Sequence, residues 1–132
     1  MANQTIRVVA AVITKDGKYL ITQRRESAVL PMLWEFPGGR VEAGEDDRGA
    51  LRRELKERLD AEVEVGEKVG ERRHEYVGYT VELVLYAARL KKDWLVARRV
   101  RDYRWVPSTE FDGYQFPDAD QRTMDLLLGL TA

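Results

Sequence analysis

The stretch from Gly38 to Ala61 constrains this chain more than any other. It reads Gly-Gly-Arg-Val-Glu-Ala-Gly-Glu-Asp-Asp-Arg-Gly-Ala-Leu-Arg-Arg-Glu-Leu-Lys-Glu-Arg-Leu-Asp-Ala, a glycine loop running into a helix that carries acidic residues. Glu54 and Glu57 are three residues apart and share one helical face. Gly38 and Gly39 let the backbone come close to whatever that face holds. Loop carbonyls with stacked carboxylates suit a hard cation such as magnesium, whose shell phosphate oxygens can complete. Asp46 or Asp47 can cap a helix beginning near Arg48. Ala50, Leu51, Leu55 and Leu59 give that helix an apolar stripe. Gly49, in its first turn, costs roughly 1 kcal/mol relative to alanine and marks close packing or a loose start.

The flanking sequence supplies strands. Arg7 to Ile13 is a β-branched run and reads as a buried strand. Asp16-Gly17 provides the positive φ angles of a hairpin turn, and Tyr19 to Arg24 returns from it. A loop from Glu26 to Leu33 holds Pro31, and Leu33 to Phe36 is a short extended entry to the glycines. After the helix, Ala61 to Val65 alternates as a strand with one wet face. A separate strand is expected over Lys68 to Arg73. Tyr79 to Leu90 is long, with Val81, Leu83, Leu85 and Ala87 on one apolar face and Glu82 on the other. Asp102 to Val106 is the last strand. Pro107-Ser108 opens a helical turn, and a closing helix buries Met124, Leu127 and Leu128. This order argues for an α/β layered domain whose hairpins exclude a purely parallel sheet. No repeat or linker interrupts it, so residues 1–132 read as one domain.

Composition removes several function classes. The chain has 132 residues, is 44% hydrophobic and carries a net charge of -1. Bulk charge therefore predicts neither nucleic-acid nor membrane binding. With no cysteine and one histidine, disulfides, thiolate sites and multi-histidine zinc sites are excluded. No apolar run reaches the ~20 residues that span a bilayer. The first residues lack a signal-peptide pattern, so a cytoplasmic location is expected.

The Gly38–Ala61 stretch resembles the Nudix box of the Nudix hydrolases. That pattern is glycine, five residues, glutamate, seven residues, then Arg-Glu-apolar-any-Glu-Glu-any-Gly-apolar. Gly39, Glu45, Arg53, Glu54, Leu55 and Glu57 match it in spacing. The resemblance implies a Nudix α/β/α sandwich with a mixed sheet. It also implies magnesium-dependent hydrolysis, with manganese an alternative, of a nucleoside triphosphate or other nucleoside diphosphate derivative. The substrate would be the partner of a monomer or homodimer. Carried over by position, Gly38, Glu54 and Glu57 would hold the metal. Glu45 would support them, one of the three glutamates would help activate water, and Arg53 would tie the box together by pairing with Glu57 or Glu45.

Flanking residues are similar to the MutT-like branch. Leu33-Trp34-Glu35-Phe36-Pro37-Gly38-Gly39 matches it closely, with Phe36 lining the nucleotide pocket. Gln23-Arg24-Arg25 ends a strand where the branch has an arginine near the nucleotide, here Arg24. Phe116-Pro117-Asp118-Ala119-Asp120 resembles a segment whose last residue reads the base. Asp120 would then read the base, with a cap of the last helix as its equal and compatible alternative. Glu82 is a weaker pocket candidate, with a solvated strand position as its plainer role. His74 reads as a turn residue, with an approach to the phosphates as the lesser alternative, and Trp94 with its neighbouring arginines as a solvated loop rather than a nucleic-acid surface.

Two positions depart from the pattern. Arg58 stands where the second glutamate of the pair belongs, and Asp60 replaces the glycine. Arg58 is four residues after Glu54, so the two can pair. A further glutamate of the MutT-like branch falls six residues before the tryptophan of the last strand. Counting back from Trp105, that position is Arg99. Carboxylates replaced by arginines lower the expected activity and favour direct contact with phosphate. The competing expectation is a Nudix-fold module that binds a nucleotide or phosphorylated ligand without hydrolysing it.

Overall fold

The computed structural model describes residues 4–28 and 31–116. Two sheets and one helix organise them. β1 (Gln4–Val12) runs beside β7 (Tyr79–Leu90) in parallel, and β5 (Gly38–Arg40) and β6 (Val63–Tyr76) flank this pair antiparallel, in the order β5-β1-β7-β6. β2 (Thr14–Lys15), β3 (Lys18–Gln23), β4 (Trp34–Glu35) and β8 (Asp102–Val106) make the second sheet, with β3 at its centre. A 3-10 helix covers Ser108–Gly113. The fold is α/β with a mixed sheet, as the element order implied. The closing helix lies outside the described residues.

Local chemistry fixes the joints. Asp16 and Gly17 both have positive φ, 52° and 76°, the geometry of the tight hairpin between β2 and β3. α1 (Asp47–Leu59) starts where Asp46 caps it, its Oδ1 accepting from the Gly49 N–H at 2.7 Å. A side chain on Gly49 would press on that same oxygen, so the glycine marks close packing at the cap. The helix stops at Asp60, a left-handed residue with φ 53° whose N–H reaches back to the Leu55 and Lys56 carbonyls. This explains the glycine of the family pattern at this position. The turn needs a positive φ, which glycine adopts freely and aspartate tolerates.

Both faces of the first sheet are covered. Val9 and Ala11 of β1 with Val84 and Tyr86 of β7 meet Leu51, Leu55 and Leu59 of α1. Ala10, Leu83 and Leu85 point the other way, toward Ile21, Phe36, Val106 and Phe111. α1 is therefore clamped on one side of β1, and the entrance to β5 on the other. Two expected strands proved to be one: β6 runs unbroken through Val63–Tyr76, with register shifts between Val65 and Lys68 and between Lys68 and Gly70. Gly66 and Gly70 interrupted its alternation in sequence, which is what a bulged strand looks like. His74 lies within β6, with its ring against Tyr76, rather than in a turn. The turn is at Val77-Gly78, where Gly78 has φ 87°.

Candidate active site

The two glycines are there because of what lies against them. A Cβ on Gly38 would stand 2.0 Å from the Val9 carbonyl oxygen, and one on Gly39 would stand 2.1 Å from Glu54 Oε2. β5 thus packs flat on β1 while the Glu54 carboxylate fills the space above Gly39. Glu54 is 7% exposed. A buried carboxylate must be paired, and arginines do this.

Arg53 is the hub. Its Nε and Nη2 donate to the two oxygens of Glu45 at 2.7 and 2.8 Å, a forked pair. Nη1 donates to Glu54 Oε1 at 2.9 Å and to Glu57 Oε2 at 3.3 Å, and Nη2 also reaches the Arg40 carbonyl at 3.0 Å. One guanidinium therefore holds the three glutamates of the box and the end of β5. The forked pair, with the Glu42 N–H behind it, lowers the Glu45 pKa to about 2.

Arg58 sits against the other side of Glu54. Its Nε donates to Glu54 Oε2 at 2.5 Å. Arg99 approaches Glu57 Oε2 at 3.4 Å. Arg58 and Arg99 thus each bring a guanidinium onto a glutamate of the box.

Among the described residues, a larger and a smaller hollow adjoin this cluster. The larger has a volume of about 480 Å³, and Phe36, Gly38, Gly39, Val81 and Leu83 are among its walls. Tyr76 and Tyr79 form part of its rim, stacked at 5.0 Å with 15° between their planes. The smaller, about 160 Å³, lies between Arg24, Arg25, Ala28, Glu54, Arg58 and Arg99. Arg24 and Arg58 border both. Arg24 is positioned by Glu35, whose Oε1 accepts from its Nη1 at 2.8 Å.

Seven of the residues singled out in the sequence are thereby brought together: Arg24, Phe36, Gly38, Glu45, Arg53, Glu54 and Glu57. Glu82 is not among them. It faces the α1 side of the sheet with Arg7, 3.8 Å from that guanidinium, whereas the cavity is on the face of Val81 and Leu83. Because both faces of β7 are covered, the polar exception on the strand did not mark the cavity side. Asp120 lies outside the described residues. Sequence reasoning missed Tyr76, Tyr79 and Arg25. A pair of tyrosines bracketing Val77-Gly78 was the available sign for the first two, since a two-residue hairpin places its flanking residues opposite one another. Trp94 is 57% exposed under the Lys92 ammonium, in keeping with a surface loop.

The chain matches the NUDIX domain family over residues 8–126. It belongs to the Nudix hydrolase family. This Nudix chain is 36% identical to the CTP pyrophosphohydrolase of Escherichia coli, over 96% of its own length and 94% of that protein's. It is 31% identical to the 8-oxo-dGTP diphosphatase of Haemophilus influenzae, over 99% and 97%. Among solved structures it resembles the solution structure of the E. coli ORF135 protein, with a TM-score of 0.79 and 35% identity over 97% of this chain and 91% of that one. The MutT protein of Methanosarcina mazei shares the fold at a TM-score of 0.83 and 21% identity, over 98% and 96% of the two chains.

Nudix hydrolases generally depend on a divalent metal. A resident magnesium ion needs several oxygens converging on one point. Among the described residues no group of three or more acidic or histidine side chains is placed to hold one. Glu54 is held from both sides by Arg53 and Arg58, and Glu57 by Arg53 and Arg99. The donor set as folded does not fit a multi-carboxylate ion site. The guanidinium groups that hold these carboxylates include Arg58, at the second glutamate position of the box, and Arg99.

Proposed function

We propose that this Nudix chain hydrolyses the pyrophosphate linkage of a nucleoside triphosphate or another nucleoside diphosphate derivative. The observation that carries the reading is the pair of adjoining hollows with different chemistry. The larger is walled by Phe36, Val81 and Leu83, and suits a flat base and its sugar. The smaller is walled by arginines, and suits a chain of phosphates. Arg24 and Arg58 lie where the two meet, with Glu54 beside Arg58. The named activities of the two relatives, on CTP and on 8-oxo-dGTP, support the same substrate class.

The side chains divide the work. Arg24 and Arg58 draw negative charge off the phosphate oxygens, which lowers the repulsion that shields phosphorus from a nucleophile. Water adds to a phosphorus, the bridging P–O bond breaks, and the water's proton passes to a carboxylate. Glu57 is the best placed of the three glutamates to accept it. Its side chain is 41% exposed, whereas Glu45 has both oxygens in the Arg53 fork and Glu54 is buried between two guanidinium groups. Glu45 and Arg53 position the other two.

A second reading rests on the Arg58–Glu54 contact. It makes the site a binder of nucleotides or phosphorylated ligands that does not hydrolyse them. A panel of nucleoside triphosphates, incubated with magnesium, with manganese or with chelator, separates the two. Release of monophosphate and pyrophosphate is expected. Tight nucleotide binding with no product under any condition would establish the second reading instead.

A further inference from the structure

We propose that the recess between Arg24, Arg25, Arg58 and Arg99 binds the phosphates of the ligand directly, with Arg58 standing in for a metal ion, so that polyphosphate is held without a divalent cation. This deepens the reading above and rests on the site accepting a polyphosphate.

The first support is charge. Four guanidinium groups and one carboxylate, Glu54, border the recess, while Glu35 and Glu57 pair with Arg24 and Arg99 from beyond its lining. Guanidinium groups gathered around one recess repel one another, and a polyanion among them removes that cost. Arginine keeps its charge at any working pH, and its planar fork matches two phosphate oxygens at once.

The second support is that the arginines are placed by the fold rather than left to solvent. The segment bearing Arg99 is docked on the end of α1, where the Arg98 and Arg99 N–H groups donate to the Arg58 carbonyl at 2.9 and 3.1 Å. Val100 is buried in the core beneath it. The Arg101 N–H then reaches the Gln23 carbonyl at 2.9 Å, and its Nη1 reaches Gln23 Oε1 at 3.0 Å. That contact ties the segment to the end of β3, from which Arg24 and Arg25 follow. The recess is thus framed by backbone bonds to both of its neighbours. Arg58 is itself fixed by Glu54, with 29% of its side chain exposed toward the hollow.

The third support is position. Arg58 borders the recess and the larger cavity together. A ligand with its base against Phe36 would therefore pass its phosphates across the Arg58 guanidinium. Glu54 orients that guanidinium, as Glu35 and Glu57 orient those of Arg24 and Arg99.

The test is titration calorimetry of the purified chain with inorganic tripolyphosphate, in chelator and in magnesium. The chelator Kd is expected within tenfold of the magnesium Kd, and Arg58→Glu is expected to weaken chelator binding at least tenfold. Binding more than tenfold tighter with magnesium, or an Arg58→Glu variant within tenfold of the parent, overturns the proposal. If Arg58→Glu does not fold, Arg99→Gln carries the test, because that side chain is 62% exposed. A loss of threefold or more supports the proposal and a smaller one overturns it. The outcome is separable from hydrolysis. Metal-free binding with no turnover sinks the hydrolase reading alone, and turnover with strictly magnesium-dependent binding sinks this one alone.

Discussion

Glu54 occupies the space that a side chain on Gly39 would need: Oε2 stands 2.1 Å from where a Cβ would be. The glycine and the glutamate of the box are therefore one structural unit, although they lie fifteen residues apart. Gly39→Ala is expected to push the Glu54 carboxylate out of line with Arg53 and Arg58. The strain should cost about 1–3 kcal/mol, seen as a lower denaturant midpoint, with hydrolysis falling more steeply than stability. An alanine variant with parental activity would mean that Glu54 is free to move.

Arg53 touches Glu45, Glu54, Glu57 and the Arg40 carbonyl. Removing it leaves Glu54 facing Arg58 alone. Arg53→Ala should destabilise the chain by about 2–4 kcal/mol, because a buried carboxylate loses a partner. Arg53→Lys should recover less than half of this, since an ammonium cannot form the forked pair with Glu45. Urea unfolding of the three proteins checks the order.

The low pKa of Glu45 gives a pH signature. Its carboxyl falls from the ordinary 4.5 to about 2 because Arg53 and the Glu42 N–H bind the ionised form. A depressed carboxyl stabilises the fold above pH 4.5, and that contribution is lost as the pH falls through 2. The melting-temperature gap between the parent and Glu45→Gln should therefore be full at pH 6 and narrow steadily below pH 4.5. A gap that does not change with pH would show that the pairing is not expressed in stability.

Asp60 holds φ 53° at the end of α1. Its side chain also meets Lys56 at 3.0 Å and Arg98 at 3.4 Å, both pairs at the surface and so worth little. Asp60→Gly should accordingly be more stable than Asp60→Ala by about 1 kcal/mol. Equal melting temperatures for the two variants would contradict a left-handed requirement at this position.

Much of this was legible in the sequence, and the reasons are local. Asp16-Gly17 announced its hairpin because only a few residues tolerate two positive φ angles. The helix announced itself through Ala50, Leu51, Leu55 and Leu59, and its cap as Asp46 or Asp47, of which Asp46 does the capping. The shared face of Glu54 and Glu57 followed from spacing alone, since a three-residue step on a helix must share a face, whereas Glu45, ahead of the helix, came from the family resemblance. Contacts that depend on partners distant in sequence were not legible. Glu82 went to the α1 face because β1 and β7 pair in parallel and put it beside Arg7. β6 read as two strands because its bulges broke the alternation that marks one. The docking of Arg98 and Arg99 on the Arg58 carbonyl joins residues forty apart, which no local pattern encodes.

The central claim is that the cluster around Glu54 performs pyrophosphate hydrolysis. Its most direct test is the rate at which nucleoside triphosphates yield monophosphate and pyrophosphate, measured for the parent chain and for Glu57→Gln. The substitution keeps the shape of a half-exposed side chain and removes the carboxylate that takes the water's proton. The account predicts turnover by the parent and a loss of about 100-fold or more in the variant, with melting temperatures close enough to show that both are folded. Equal rates for the two proteins would contradict it.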